Sequence, residues 1–212
     1  MLKTPSEILK NIAMAVWNLE EPFSLVEAAP LHILAWIEDL EVRQYILENS
    51  INKNPKDNFG ETPLHWATSK GNSEVCKTLI ENQAEKDPQD NAGFTPLHKA
   101  AVEGQLDVSR ILLERQVDKN SLSNEGLTPL HVSALKGRSE MCRILIENDV
   151  DKNPTDVNGR TPLHMAVHEG HLEVCKILLK HQVDKNPGDH VRWTPLHIAA
   201  VKAGLSFSLY LK

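Results

Sequence analysis

Apolar positions fall into two alternating kinds of block along most of the chain. One is short and rich in Ala, as in Leu97, Ala100 and Ala101. The other is longer and more branched, as in Leu172, Val174, Ile177, Leu178 and Leu179. A Gly divides the two, and a polar stretch such as Val183-Asp184-Lys185-Asn186 follows the second. This pattern predicts a helix, a tight turn, a second helix and a loop, repeated many times.

The period is carried by the string Thr-Pro-Leu-His. It begins at Thr62, Thr95, Thr128, Thr161 and Thr194, each start 33 residues after the last, and ends at His65, His98, His131, His164 and His197. One step further back stands Ala29-Pro30-Leu31-His32, which lacks only the Thr. A Gly precedes the Thr by two residues at Gly60, Gly93, Gly126 and Gly159, and another follows it by nine at Gly71, Gly104, Gly137 and Gly170.

Each part has a physical reading. Thr is an N-cap whose hydroxyl can accept from an orphan helix amide. Pro at the first helical position loses nothing by lacking an N–H. The Gly nine residues on supplies the left-handed backbone that ends a short helix. Small Ala side chains let the next layer approach closely. The second helix carries an acid and a base three residues apart, Glu74/Lys77, Asp107/Arg110, Glu140/Arg143 and Glu173/Lys176. Such pairs are worth roughly 0.2–0.5 kcal/mol each. Asp57, Asp90 and Asp156 each stand three residues before a Gly, which is turn chemistry.

The Thr-Pro-Leu-His motif, the 33-residue period, the Asp-x-x-Gly turn and the Ala pair resemble the ankyrin repeat family over about residues 29 to 212. The resemblance implies an all-α solenoid of stacked helix-turn-helix units with projecting β-hairpin-like finger loops. Units are expected at 29–61, 62–94, 95–127, 128–160, 161–193 and a truncated 194–212. Residues 1–28 are expected to form an N-terminal capping helix or degenerate half-repeat. There Thr4-Pro5-Ser6-Glu7 has capping-box spacing. At the other end Leu205, Phe207, Tyr210 and Leu211 match a second-helix register, and Leu209 stands where other units carry Lys or Arg. A longer product or a covered edge is expected there.

The chain departs from the family where Gly usually precedes the finger. Ser50, Gln83, Gln116, Asp149 and Gln182 stand there instead. Left-handed backbone at these places would cost a non-Gly residue roughly 1 kcal/mol. The first unit has Ala29 for the N-cap Thr and Glu38 for the turn Gly.

Composition narrows function. Aromatics are only 5%, which suits many thin layers better than one compact core. A formal net charge of −6 gives no bulk electrostatic reason to bind nucleic acid. Three cysteines fit a reducing compartment, and no stretch is apolar enough for a signal peptide or a membrane span. A monomer in the cytoplasm or nucleus is expected.

Residues that look chemical one at a time become structural in register. The motif histidines recur once per layer, so they cannot converge on a metal, and a hydrogen bond at the helix start is expected of each. His168 and His171 are a weak metal pair. Cys76, Cys142 and Cys175 share one repeat position, held by Ser109 and Ser208 elsewhere. Zinc-type cysteine spacing, a phosphate loop and a nucleophile elbow are absent from the sequence. The ladders Lys53, Lys86, Lys119, Lys152, Lys185 and Glu85, Asp118, Asp151, Asp184 read as a solvated face, with an electrostatic docking strip as the lesser alternative. No enzyme activity, cofactor or metal is expected.

Function is left to the positions that the repeat does not fix. In the ankyrin family partners touch the fingers and the exposed end of the first helix. By that resemblance the candidates for partner contact are Phe59, Glu61, Trp66, Phe94, Leu127, Arg160 and Trp193, with Leu135, Lys136, His168 and Glu169 nearby. The alternative for Phe59 and Phe94 is packing back onto a neighbouring finger. The reading is a scaffold or adaptor holding an unidentified protein partner. A second reading is the soluble ankyrin portion of a larger channel, receptor or kinase regulator.

Overall fold

The computed structural model describes residues 31–210. The capping segment expected at residues 1–28 lies outside them. A 3-10 turn, His32–Trp36, comes first. Then follow α1 (Leu40–Asn49), α2 (Pro63–Ser69), α3 (Ser73–Glu81), α4 (Pro96–Glu103), α5 (Leu106–Glu114), α6 (Pro129–Leu135), α7 (Ser139–Glu147), α8 (Pro162–Glu169), α9 (Leu172–Lys180) and α10 (Pro195–Tyr210). No strand occurs among the described residues.

The even-numbered helices start alike. In α2, α4, α6 and α8 the Thr and the His three residues later form a capping box with Pro in the first turn. The His Nδ1 accepts from the Thr N–H at 3.0 Å in α2 and 3.1 Å in α4. A capping box normally uses Glu or Gln there; here an imidazole does the same work. Gly71, Gly104, Gly137 and Gly170 then turn the chain at φ 72°, 76°, 68° and 82°.

First helices pack on first helices and second helices on second helices, so one apolar cluster runs from Leu31 to Val183. Leu112, Leu145 and Leu178 are fully buried in it, each contributing about 1.5–3 kcal/mol. Successive units are also joined by directional bonds that recur at the same register. The motif His Nε2 reaches the carbonyl 29 residues on: Glu61, Phe94, Leu127, Arg160 and Trp193 for His32, His65, His98, His131 and His164, at 2.9–3.0 Å. The finger N–H groups of Asn91, Asn124, Val157 and His190 donate to Phe59, Ala92, Glu125 and Asn158 O of the preceding finger.

The left-handed expectation holds at four of five positions. Gln83, Gln116, Asp149 and Gln182 have φ 67°, 60°, 57° and 62°. Ser50 does not: it is extended at φ −88°, and its hydroxyl donates back to Ile46 O at 2.6 Å. A fifth left-handed residue, Arg192 at φ 65°, stands where other units have Gly. At Gly60 a Cβ would lie 2.8 Å from the Asn91 backbone N of the next finger, so glycine is needed for room as well as for φ.

Both ends depart from the helix-pair pattern. The first helix of the first unit is only a 3-10 turn, capped by no side chain at Leu31 and leaving into extended backbone at Ile37. Without the Thr cap and the turn Gly, nothing locally fixes an α-helix there. In the last unit Ala203 replaces the turn Gly, and α10 runs straight through to Tyr210 instead of breaking into two helices. Ala is the best helix former, so the stop signal is lost.

Candidate protein-interaction surface

Each finger is a tight loop built on one acceptor. Asp57 Oδ1 takes the N–H groups of Phe59 and Glu61 at 2.9 and 2.8 Å. Asp90, Asp156 and Asp189 repeat this with the residues two and four further on, and Ser123 Oγ substitutes in the remaining finger. The second carboxylate oxygen is spent differently in each unit. Asp57 Oδ2 accepts from Trp66 Nε1 at 2.9 Å, Asp90 Oδ2 holds Lys99 at 2.8 Å, and Asp156 Oδ2 holds Arg160 at 2.7 Å. Burial works against the Asp90 and Asp156 carboxylates, but these cations and the loop amides outweigh it and hold both below the usual carboxylate range.

The seven candidate contact residues separate by burial. Phe59 is 73% exposed at a fingertip, and Trp193 is 44% exposed. Trp66 and Leu127 are buried, each 7% exposed. Trp66 packs against Trp36 and His32 with ring centroids 5.1 Å apart in both cases, so its indole belongs to the core of the first two units. Phe94 is half-buried: it stacks on His98 at 5.1 Å with Lys99 Nζ 5.8 Å from its ring, so it packs on the adjoining first helix and not on a neighbouring finger. Phe59 does not tuck back in that way. Glu61 pairs with Lys99 at 2.5 Å. Arg160 is half-buried on Asp156.

In the first two units, contacts join the finger at Asp57 to the first helices. Trp36 meets Trp66, Lys70 Nζ lies 5.0 Å above the Trp36 ring, and Trp66 reaches Asp57. Leu135 is half-buried and Lys136, His168 and Glu169 are exposed at the corresponding helix ends. Sequence reasoning passed over three further exposed apolar residues on the fingers: Leu122 at 53%, Val157 at 57% and Val191 at 72%. They break the polar composition expected of loop tips, and that contrast was available in the sequence.

The lysine ladder is not simply solvated. Lys86 Nζ donates to Arg115 O at 2.8 Å and Lys119 Nζ to Asn148 O at 2.5 Å, both at the end of the next unit's second helix. Lys53 does the same for α1, reaching Leu47 O and Ser50 O. A cation at a helix C-terminus satisfies orphan carbonyls and opposes the dipole.

Of the motif histidines, His32, His65, His98, His131 and His164 are buried and His197 is exposed; in His65, His98, His131 and His164 Nδ1 accepts from the Thr N–H, so Nε2 carries the proton and donates. Burial, against the favourable bond to Phe94 O or Leu127 O, brings His65 and His98 down to about 4, and lowers His131 as well. His168 and His171 do not converge: one bonds Glu169 at 2.8 Å, the other Leu135 O at 3.1 Å. No group of His, Cys, Asp and Glu among the described residues could hold a metal ion. Burial pushes the Cys76 and Cys142 thiols up to about 11, which makes them packing residues. Three of the four helix ion pairs close, Asp107–Arg110, Glu140–Arg143 and Glu173–Lys176.

A stack of helix pairs whose recurring residues hold each unit to the next defines a helical-repeat module. A model of ankyrin repeats (three copies) matches residues 31–123, 84–156, 115–189 and 155–211. The chain belongs to the ankyrin repeat family, whose repeats mediate protein–protein interaction. No curated protein matches it. No helix among the described residues is long and apolar enough to cross a membrane.

Proposed function

We propose that this protein is a non-catalytic scaffold or adaptor that holds a partner protein against its fingers and the adjoining ends of the first helices. Units 29–61, 62–94, 95–127, 128–160 and 161–193 present that surface, with a last unit from 194. The observation that carries the reading is the exposed fingertip Phe59, with Val157, Val191 and Trp193 further along the stack. A large apolar side chain held at a loop tip by a fully bonded turn has no role in the loop's own stability, and aromatic residues dominate interface hot spots. Trp66 and Leu127 support the surface from beneath.

A photo-crosslinking amino acid at Phe59 and at Trp193, with the exposed helix position Glu140 as control, tests this in extracts of the source cell. The expected result is one shared partner captured at both finger positions and not at Glu140. Phe59→Ala should then weaken that partner roughly tenfold or more. Capture at Glu140 to the same extent, or full affinity in Phe59→Ala and Trp193→Ala, would overturn the reading.

A further inference from the structure

Two repeat positions acquire a cation in the unit that begins at Thr161. The second helix ends on Glu48, Glu81, Glu114 and Glu147 in the earlier units and on Lys180 here. The finger position of Gly60, Gly93, Gly126 and Gly159 holds Arg192. All five of those finger residues have left-handed backbone, at φ 65° for Arg192. Glycine adopts that conformation freely, and a residue with a Cβ does not. In an earlier finger the neighbour also leaves no room for a side chain: at Gly159 a Cβ would lie 2.9 Å from the His190 backbone N. Arg192 is exposed instead. Its backbone strain is kept at a loop tip where the other fingers avoid it, and strain of this kind clusters at functional positions.

The charge balance changes at the same place. Residues 31–170 carry 15 Lys and Arg against 22 Asp and Glu, and residues 171–203 carry five against three. Lys180, Lys185 and Arg192 are exposed and enter no ion pair among the described residues. The two acids of this finger are engaged by its own loop. Asp184 Oδ1 accepts from the Asn186 N–H at 3.0 Å, and Asp189 Oδ1 from those of Val191 and Trp193 at 3.0 and 2.8 Å. Val191 and Trp193 are exposed on either side of Arg192, so the guanidinium is set between two apolar side chains.

We propose that the end of α9 and the finger after it form a cationic pole that binds an acidic peptide segment of the partner, with Arg192 on a carboxylate and Val191 and Trp193 on an apolar side chain beside it. This rests on the reading that the fingers hold a partner protein, and names the chemistry of that partner at one finger. A guanidinium takes a carboxylate through two parallel N–H···O bonds. Arg and Trp also carry more of an interface's energy than their area suggests. A short segment can touch this pole alone. Duplex nucleic acid or an anionic membrane would face the acidic units as well, whose charge acts over a screening length of about 8 Å.

A displayed library of random dodecapeptides, selected on the full chain, tests this. The expected yield is sequences rich in Asp and Glu with an apolar residue among them. Arg192→Gly restores the glycine of the other fingers. An enriched peptide, followed by fluorescence anisotropy, should bind that variant roughly tenfold more weakly. Its denaturant midpoint should rise, because left-handed backbone at a Cβ-bearing residue is relieved. Weaker binding with a higher midpoint separates loss of a contact from loss of fold. Lys180→Glu, which restores the acid of the other units, should weaken binding as well, and Lys77→Glu on α3 should not. No enrichment, enrichment without acidic bias, or undiminished affinity in Arg192→Gly would each overturn the proposal. Binding of phosphatidylserine vesicles or duplex DNA that Arg192→Gly abolishes would also overturn it, by assigning the pole to another polyanion. A partner crosslinked at both Phe59 and Trp193 through a segment without acids would sink this proposal and leave the finger surface standing.

Discussion

In the four Thr-Pro-Leu-His strings that end at His65, His98, His131 and His164, the histidine does two jobs with one ring. Nδ1 closes the start of its own helix, and Nε2 ties that helix to the finger 29 residues ahead. Only the first was legible in the sequence, because a helix cap is local and the second bond exists only once two units have stacked. Its consequence is a pH dependence with a definite sign. His65 and His98 titrate at about 4 in the fold, and an unfolded His titrates near about 6.5. Between those values the unfolded chain binds more protons than the folded one. Stability is therefore fully present above about pH 6.5 and is lost as pH falls toward 4. Urea unfolding followed from pH 7 to pH 4.5 should show the midpoint falling steadily. His98→Gln should reduce that slope, and should cost about 1–3 kcal/mol at pH 7 if it leaves the Thr95 N–H or the Leu127 carbonyl without a partner. A flat midpoint over this range would mean that the rings charge without breaking the layer contacts.

At the scale of the element, helix starts were readable and helix ends less so. Thr and Pro fix a start through one residue's cap and one residue's φ. An end depends on whether the backbone actually goes left-handed, and the sequence treats Ser50 and Gln116 alike there. The structure separates them. Gln116 sits at φ 60°, whereas Ser50 stays at φ −88° and caps its helix by a hydroxyl bond. Gln116→Gly should therefore stabilise the chain by about 0.5–1 kcal/mol by relieving left-handed backbone. Ser50→Gly should destabilise it, since it loses the bond to Ile46 O and adds freedom to the unfolded chain. Denaturant midpoints of the two variants check this directly, and a gain in both would mean that φ is not what distinguishes them. The straight α10 was missed for a related reason. The apolar register beyond residue 204 reads as a second helix, but the break that would create it depends on the single turn residue now occupied by Ala203.

For the whole molecule, a regular period made the fold legible and concealed the site. Residues that repeat build the stack, so they identify it; residues that vary are the only ones free to choose a partner, and no pattern predicts their exposure. Leu127 and Phe59 illustrate this. Both vary between units, yet Leu127 is 7% exposed and Phe59 is 73% exposed. Neighbour-only packing also sets how the molecule unfolds. Each unit is held by its own helices and by the units on either side, so stability is close to a sum of unit and boundary contributions. Leu130, 1% exposed at the start of α6, lies in the middle of the stack. Leu130→Ala should cost about 2–5 kcal/mol. If coupling runs only through neighbours, that loss weakens both boundaries of one unit and uncouples the two flanks. The single unfolding transition should then broaden or split in two, with a lower apparent m-value for each part. Phe59→Ala, at the surface of the same stack, should keep a single transition with an unfolding free energy within about 0.5 kcal/mol of the parent. Circular dichroism at increasing urea distinguishes the two, and a single sharp transition in Leu130→Ala would show coupling beyond nearest neighbours.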